Sequence, residues 1–305
     1  MWNSLDPRSI DSRERDASDP RDSRSLDPRD ALLGGLELPR GLERERVHVR
    51  DHEYELRGSE ARTLATVGAF RVVPLDDLRN ESGRSPDIWH GDLDRLRTAG
   101  LIRVVAPLDR HDEQLTKLVV LTGRGRELLE SHRAPDHKPR QAFYDGLVKS
   151  RELSHDAQLY RAYLRAAERL RTEGARMERV VLDYELKREY QRFLQERNRE
   201  RSHSDGRPDR TQEEIQDWAY AHSLPIVDER VQFPDFRIEY ERTDGRRDVE
   251  DVEVITPHYR GAHAAAKARS GFTRFRSSGG RVGGRMARGS GGRAPDPHLA
   301  EEFLE

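Results

Sequence analysis

The stretch over residues 86–130 constrains this chain most, because it couples a helix signature to a hairpin signature through a glycine stop. Residues 87–99 carry Trp89, Leu93 and Leu96 at spacings of four and three, which places them on one face of a helix. Gly100 follows, where a helix C-terminus favours a left-handed residue. Residues 101–106 and 115–121 are then two β-rich runs on either side of the turn-forming Pro107-Leu108-Asp109-Arg110-His111-Asp112. Thr122 is placed to N-cap a closing helix that carries Leu128 and Leu129. A hairpin directly after a helix is the wing of a winged helix.

The residues before this stretch complete such a unit. Ala61, Leu64, Ala65, Val67 and Gly68 predict a short amphipathic helix, and Pro74-Leu75-Asp76-Asp77-Leu78 starts another. Three helices and a hairpin fit residues 59–133, inside a domain assigned to 55–135. The second and third helices would form the helix-turn-helix, with Arg84, Ser85, His90, Arg95 and Arg97 on or beside the third and Arg110 in the wing as candidate contacts to double-stranded DNA. The pattern Leu96 to Ile102, hairpin, Leu121 to Gly125 resembles winged-helix regulators of the multiple-antibiotic-resistance type. Residues 59–133 hold 12 Lys/Arg and 12 Asp/Glu, a neutral balance that equally suits docking to a protein.

Composition bounds the remainder. Of 305 residues, 34% are hydrophobic and 37% charged, with mean hydropathy −0.97, so much of the chain must lie outside a core. The absence of cysteine removes disulfides, thiolate metal sites, zinc fingers and cysteine nucleophiles together. Residues 1–6 have neither a basic nor an apolar leader region, and no run approaches the roughly 20 apolar residues that cross a bilayer. These features predict a cytoplasmic protein without a membrane partner.

Both ends read as tails. Asp-Pro-Arg recurs at Asp6, Asp19 and Asp27, with charges of both signs and almost no apolar residue before Leu32, which predicts a disordered arm over residues 1–50. The patch Ala31-Leu32-Leu33-Gly34-Gly35-Leu36 is either a docking peptide or incidental to that arm. Residues 276–293 hold seven glycines, five arginines and no acid, so the tail over 277–305 is expected to be flexible and to attract phosphate without reading sequence.

A second folded unit is expected over residues 150–276. Tyr160, Tyr163, Leu164, Ala167 and Leu170 recur at helical spacing, as do Leu186, Tyr190, Phe193 and Leu194. Thr211-Gln212-Glu213-Glu214 has the form of a capping box opening a helix that buries Ile215, Trp218 and Ala219. Strands follow over 226–232, 236–241 and 249–255, the last two joined through Thr243-Asp244-Gly245-Arg246, and alanine-rich residues 261–274 predict a final helix. Asp235 enters one strand of that hairpin and Glu253 ends the other, a juxtaposition suited to a Mg²⁺-binding carboxylate pair.

That spacing is similar to PD-(D/E)xK nucleases, in which a lysine two residues after the second acid completes the site. Here Ile255 holds that position, and Lys267 on the next helix is the nearest replacement, with Glu185 as a further candidate acid. His258 and His263, five apart, have poor spacing for one helix face and are not expected to bind metal. The winged helix, the segment Ser154-His155-Asp156-Ala157-Gln158-Leu159, the Pro234-Asp235 strand, the Glu253 strand and a Lys267 helix ending in the aromatics Phe272 and Phe275 resemble, in that order, the replication-relaxation family of plasmids and other mobile elements. The resemblance covers about residues 55–276. It implies an α+β chain, with a winged helix-turn-helix followed by a restriction-endonuclease-like α/β domain. It also implies a DNA-binding role in plasmid replication or mobilisation, with a relaxase or replication protein as partner. Where that family shows Glu-Ile-Asp, this chain has Glu253-Val254-Ile255, so the nuclease-like site is expected to be inactive. The alternatives are a Mg²⁺-dependent endonuclease or nickase using Asp235, Glu253 and Lys267, and an adaptor that docks a relaxase or replication initiator.

Overall fold

In a computed structural model the described residues are 27–81, 86–105, 117–137, 139–147, 150–198, 210–255 and 262–276. They form an α+β protein. The order is β1 (Glu45–Val49), β2 (His52–Leu56), α1 (Gly58–Phe70), β3 (Val73–Pro74), α2 (Leu75–Glu81), α3 (Pro86–Thr98), β4 (Ile102–Val105), β5 (Leu118–Leu121) and α4 (Gly123–Ser131). There follow α5 (Ser150–Thr172), β6 (Arg176–Leu182), α6 (Asp183–Gln195), α7 (Gln212–Ala221), β7 (Ile226–Val227), β8 (Arg230–Val231), β9 (Phe236–Glu241), β10 (Arg247–Ile255), α8 (Ala262–Arg269) and β11 (Thr273–Arg276).

In the first half, four helices, α1 to α4, accompany a three-stranded antiparallel sheet of order β3-β5-β4. In α3, Leu93 and Leu96 are buried as their spacing requires, whereas the side chain of Trp89 lies outside the described residues. Gly100 ends that segment at φ 71°, a conformation that glycine adopts without steric cost. Thr122 caps α4, its hydroxyl accepting the Gly125 N–H at 3.1 Å. Gly125 is required for a separate reason: a Cβ there would stand 2.2 Å from the Leu101 carbonyl oxygen. The Leu-Thr-x-x-Gly pattern thus encodes a cap and a close backbone approach.

The expected disordered arm over 1–50 is corrected for residues 27–50. Asp27 accepts the Arg29 N–H and caps a 3-10 helix over Pro28–Leu33, and Pro28 opens it with a φ already suited to a helix. Leu32, Leu33, Leu36 and Leu38 are buried in the main core, and the Tyr163 hydroxyl of α5 donates to the Pro28 carbonyl at 2.7 Å. Those leucines supply the apolar area that the arm's composition concealed, so the patch at 31–36 docks within its own chain. Val47, Val49 and Leu56 likewise anchor the β1–β2 hairpin. Residues 1–26 and the tail over 277–305 lie outside the described residues.

The second half is a four-stranded sheet of order β11-β10-β9-β6, antiparallel except for β10 and β11, which run parallel. α5 lies against β6 and β10 and also touches α1 and β3. Its Tyr160, Tyr163, Ala167 and Leu170 are buried, and so are Leu159, Ala162 and Ala166, a wider face than an ordinary surface helix presents. One continuous cluster therefore joins Phe70 of α1, Tyr160 and Tyr163 of α5 and Phe236 of β9, whose rings meet with centroids 5.1–6.5 Å apart. A smaller cluster around Val181, Leu186, Ala219 and Leu224 holds α6 and α7.

Several expected elements differ. β6 was not expected, because Arg176, Glu178 and Arg179 interrupt its apolar pattern. Residues 226–232 form a tight hairpin rather than one strand, with Asp228 and Glu229 at φ 51° and 60° in its turn. The capping box of α7 is present, with Glu214 N–H donating to Thr211 and Thr211 N–H to Glu214, but only Ala219 of the three expected residues is fully buried. The final helix stops at Arg269, and Phe275 belongs instead to β11, where it faces the core. Among the described residues no helix is long and apolar enough to cross a membrane.

Candidate active site

The strand pairing between β9 and β10 ends at Phe236 and Val252, and the candidate site begins there. Asp235 is the next residue out. Its own N–H donates to the Val252 carbonyl at 3.0 Å, and its carbonyl accepts the Asp183 N–H at 3.0 Å, so its backbone is held by β10 on one side and by the first residue of α6, just past β6, on the other. Beyond the last pair the Val254 N–H takes a side chain instead, donating to Asp235 Oδ2 at 2.7 Å. Proline before the aspartate suits this extended entry into a strand.

Glu253, one residue further along β10 and 2% exposed, meets Lys267 of α8. The Lys267 ammonium donates to Glu253 Oε2 at 2.6 Å and to the Phe233 carbonyl at 2.5 Å. Asp235, Glu253 and Lys267 are thus brought to one end of the β9–β10 hairpin. Ile255, in the position of the nuclease lysine, ends β10 opposite Arg276.

The sequence reading did not include His155 and Asp156 among the site residues. His155 Nε2 lies 3.2 Å from Asp235 Oδ2, and its Nδ1 lies 3.3 Å from Asp156 Oδ1. Arg71, following α1, brings its guanidinium to 3.7 Å from Asp156 Oδ2. Burial would lower the His155 pKa, but the hydrogen bonds and charges of Asp156 and Asp235 outweigh it and raise the pKa from 6.5 to about 10. His155 is therefore an imidazolium at neutral pH. Burial likewise acts to raise the Asp235 pKa, and the His155 hydrogen bond and charge, the Lys267 charge and the Val254 N–H together hold it below the ordinary aspartate value. No local sequence signal predicts the His155–Asp235 contact, since its partners are 80 residues apart and meet only through the packing of α5 on the sheet.

For Glu185, burial raises the pKa, and the Tyr144 hydrogen bond, the Arg179 charge, the Leu182 backbone and the Arg188 charge oppose that rise. His258 and the side chain of His263 lie outside the described residues. Asp235 and Glu253 offer the oxygen donors that Mg²⁺ prefers. As arranged they do not fit a resident divalent ion, because His155 and Lys267 already contact the carboxylates, and the described residues include no cluster of three or more ligating side chains.

Of the candidate DNA contacts, Arg84, Ser85 and Arg110 lie outside the described residues, as does the side chain of His90. Arg95 and Arg97 are exposed on α3, with Arg97 paired to Asp94 at 3.2 Å. Arg95 lines a small cleft beside Glu53 and Glu55 of the β1–β2 hairpin, so acids partly offset the positive charge at this end of α3. No protein-family model, curated protein or solved structure matches the chain.

Proposed function

We propose that this is a DNA-binding accessory protein for plasmid or mobile-element replication and mobilisation, in which a winged helix-turn-helix unit is joined to a restriction-endonuclease-like unit that binds rather than cuts. One observation carries the reading. Leaving aside α6, α7 and the β7–β8 hairpin, which are inserted between β6 and β9, the elements of the four-stranded unit run α5-β6-β9-β10-α8-β11, a helix, three antiparallel strands, a helix and a parallel fourth strand, and Asp235, Glu253 and Lys267 converge on it at the hairpin end. The helices α1, α2 and α3, the three-stranded sheet and the closing helix α4 of residues 58–131 support the winged-helix assignment. The Ser154-His155-Asp156 segment gains a chemical role in this reading, because it places a cation on the nuclease-like aspartate.

Binding without turnover follows from charge. Asp156, Asp235 and Glu253 face Arg71, His155 and Lys267, so the cluster neutralises itself. Freeing a buried carboxylate from its partner costs several kcal/mol, on the order of 3–5. A second reading, a Mg²⁺-dependent endonuclease, is favoured by Lys267, whose ammonium reaches Glu253 although Ile255 has replaced the usual lysine.

The test uses the full chain with duplex DNA at salt concentrations spanning roughly 50 to 200 mM, where phosphate contacts make affinity fall steeply. In parallel, supercoiled DNA is incubated with Mg²⁺ or Mn²⁺ and with the Asp235→Asn, Glu253→Gln and Lys267→Met variants. Salt-sensitive binding without cleavage is expected. Metal-dependent cleavage lost in all three variants would replace this reading by the endonuclease, and no binding even at the lowest salt would favour an adaptor for a relaxase or replication protein.

A further inference from the structure

The strand at the edge of the four-stranded sheet carries charge that the fold does not use. β11 pairs with β10 in the register Glu253 to Arg274, Val254 to Phe275 and Ile255 to Arg276, and among the described residues no strand pairs with its other edge. Residues paired across neighbouring strands project to the same face of a sheet, and successive residues alternate. Phe275 and Val254 face α5, where the Arg165 guanidinium lies 4.8 Å from the Phe275 ring centroid. Arg274 and Arg276 therefore project to the opposite face, the one on which Glu253 meets Lys267.

Both arginines are exposed, and among the described residues no carboxylate forms an ion pair with either. Several other arginines of this unit are committed, Arg169 to Glu250, Arg179 to Glu239, Arg237 to Asp251, Arg242 to Asp248 and Arg269 to Asp228, while Arg192 and Arg230 are exposed like Arg274 and Arg276 but do not share a strand with them. Positions i and i+2 of a strand are about 6.6 Å apart, comparable to the separation of successive phosphates along one nucleic-acid strand. Beyond Arg276 the sequence continues with Arg281, Arg285, Arg288 and Arg293, and no acid occurs before Asp296.

We propose that Arg274 and Arg276 are phosphate-positioning residues, which hold a nucleic-acid backbone along the β11 edge and lead it past the Glu253–Lys267 pair. The inference rests on the restriction-endonuclease-like reading of this unit and adds the surface by which its nucleic acid would enter. A polyanion suits this edge better than an acidic protein patch would, because the positive charge is repeated at strand spacing and extends into the following sequence. The competing role is protection: charges on an exposed edge strand discourage edge-to-edge association.

The experiment measures the salt dependence of duplex binding for the full chain, for Arg274→Ala/Arg276→Ala and for Arg274→Lys/Arg276→Lys, with Arg46→Ala on β1 as an exposed control. Loss of two phosphate contacts lowers the slope of log affinity against log salt by roughly 1.8 in the alanine variant. The lysine variant and the control should keep the wild-type slope. A wild-type slope in the alanine variant, with binding intact, would overturn the proposal and leave the arginines as edge protection. A reduced slope that the lysine variant fails to restore would overturn it too, since charge would then not be the cause. If the unaltered chain binds no DNA at all, the DNA reading falls together with this one, an outcome distinct from an unchanged slope.

Discussion

Replacing Lys267 by methionine should destabilise the protein far more than an ordinary surface change. The side chains of Lys267 and Glu253 are 9% and 3% exposed, and their charged groups are 2.6 Å apart. Methionine roughly fills the volume of the lysine stem, so the main loss is the ammonium, which leaves a buried carboxylate without this partner. Breaking a buried pair in this way costs about 3–5 kcal/mol. Glu253→Gln should cost less, about 1.5–3 kcal/mol, because Lys267 keeps its bond to the Phe233 carbonyl. In the double variant no charge remains to be stranded, so its cost should fall short of the sum of the singles by about 1–3 kcal/mol. Urea unfolding of the four proteins, followed by circular dichroism, completes the cycle. A Lys267→Met cost below about 1 kcal/mol, or singles that add within about 0.5 kcal/mol, would refute a buried, coupled pair.

Further outcomes follow from the same contacts. Because the His155 pKa is raised from 6.5 to about 10, the stability it contributes is fully present below about pH 6.5 and is lost as pH climbs towards 10; a urea midpoint that falls over this window in the wild type but not in His155→Gln would agree, and parallel profiles would not. Asp235, whose pKa is lowered, contributes above the ordinary aspartate range and loses that contribution as acid is added, so Asp235→Asn should flatten the acid limb of the same profile. Thr122→Ala removes the N-cap of α4 and should cost about 1 kcal/mol by denaturant titration. Gly125→Ala, whose added carbon would sit 2.2 Å from the Leu101 oxygen, should cost more than the cap, on the order of 2–3 kcal/mol, and a neutral result would refute that close approach.

The parts of this fold that the sequence displayed were those encoded within about one element. Leu93 and Leu96, the Gly100 stop, the Thr122 cap and the Thr211–Glu214 box each depend on neighbours within a few residues, and each is present. β6 and β11 were hidden because charged residues share their short spans with the buried ones, and pairing across the sheet rather than local pattern defines them. Leucines 32, 33, 36 and 38 were hidden by the polar residues before them, and only contact with α1 and α5 reveals them as core. In the site, the two acids were legible from the hairpin spacing, and Lys267 from its place on the following helix. His155 was not, because its contact with Asp235 depends on how α5 crosses the sheet.

The central proposal is that duplex DNA engages both the α3 and β4–β5 region of the first unit and the β10–α8–β11 edge of the second. Hydrogen exchange of the full chain with and without duplex DNA, read peptide by peptide at low salt, tests it most directly. Slowed exchange should appear over α3 and the β4–β5 region and, separately, over residues 262–276, with β1 and β2 unchanged. Exchange that is unaltered throughout, or slowed only on the β1–β2 hairpin, would contradict the account.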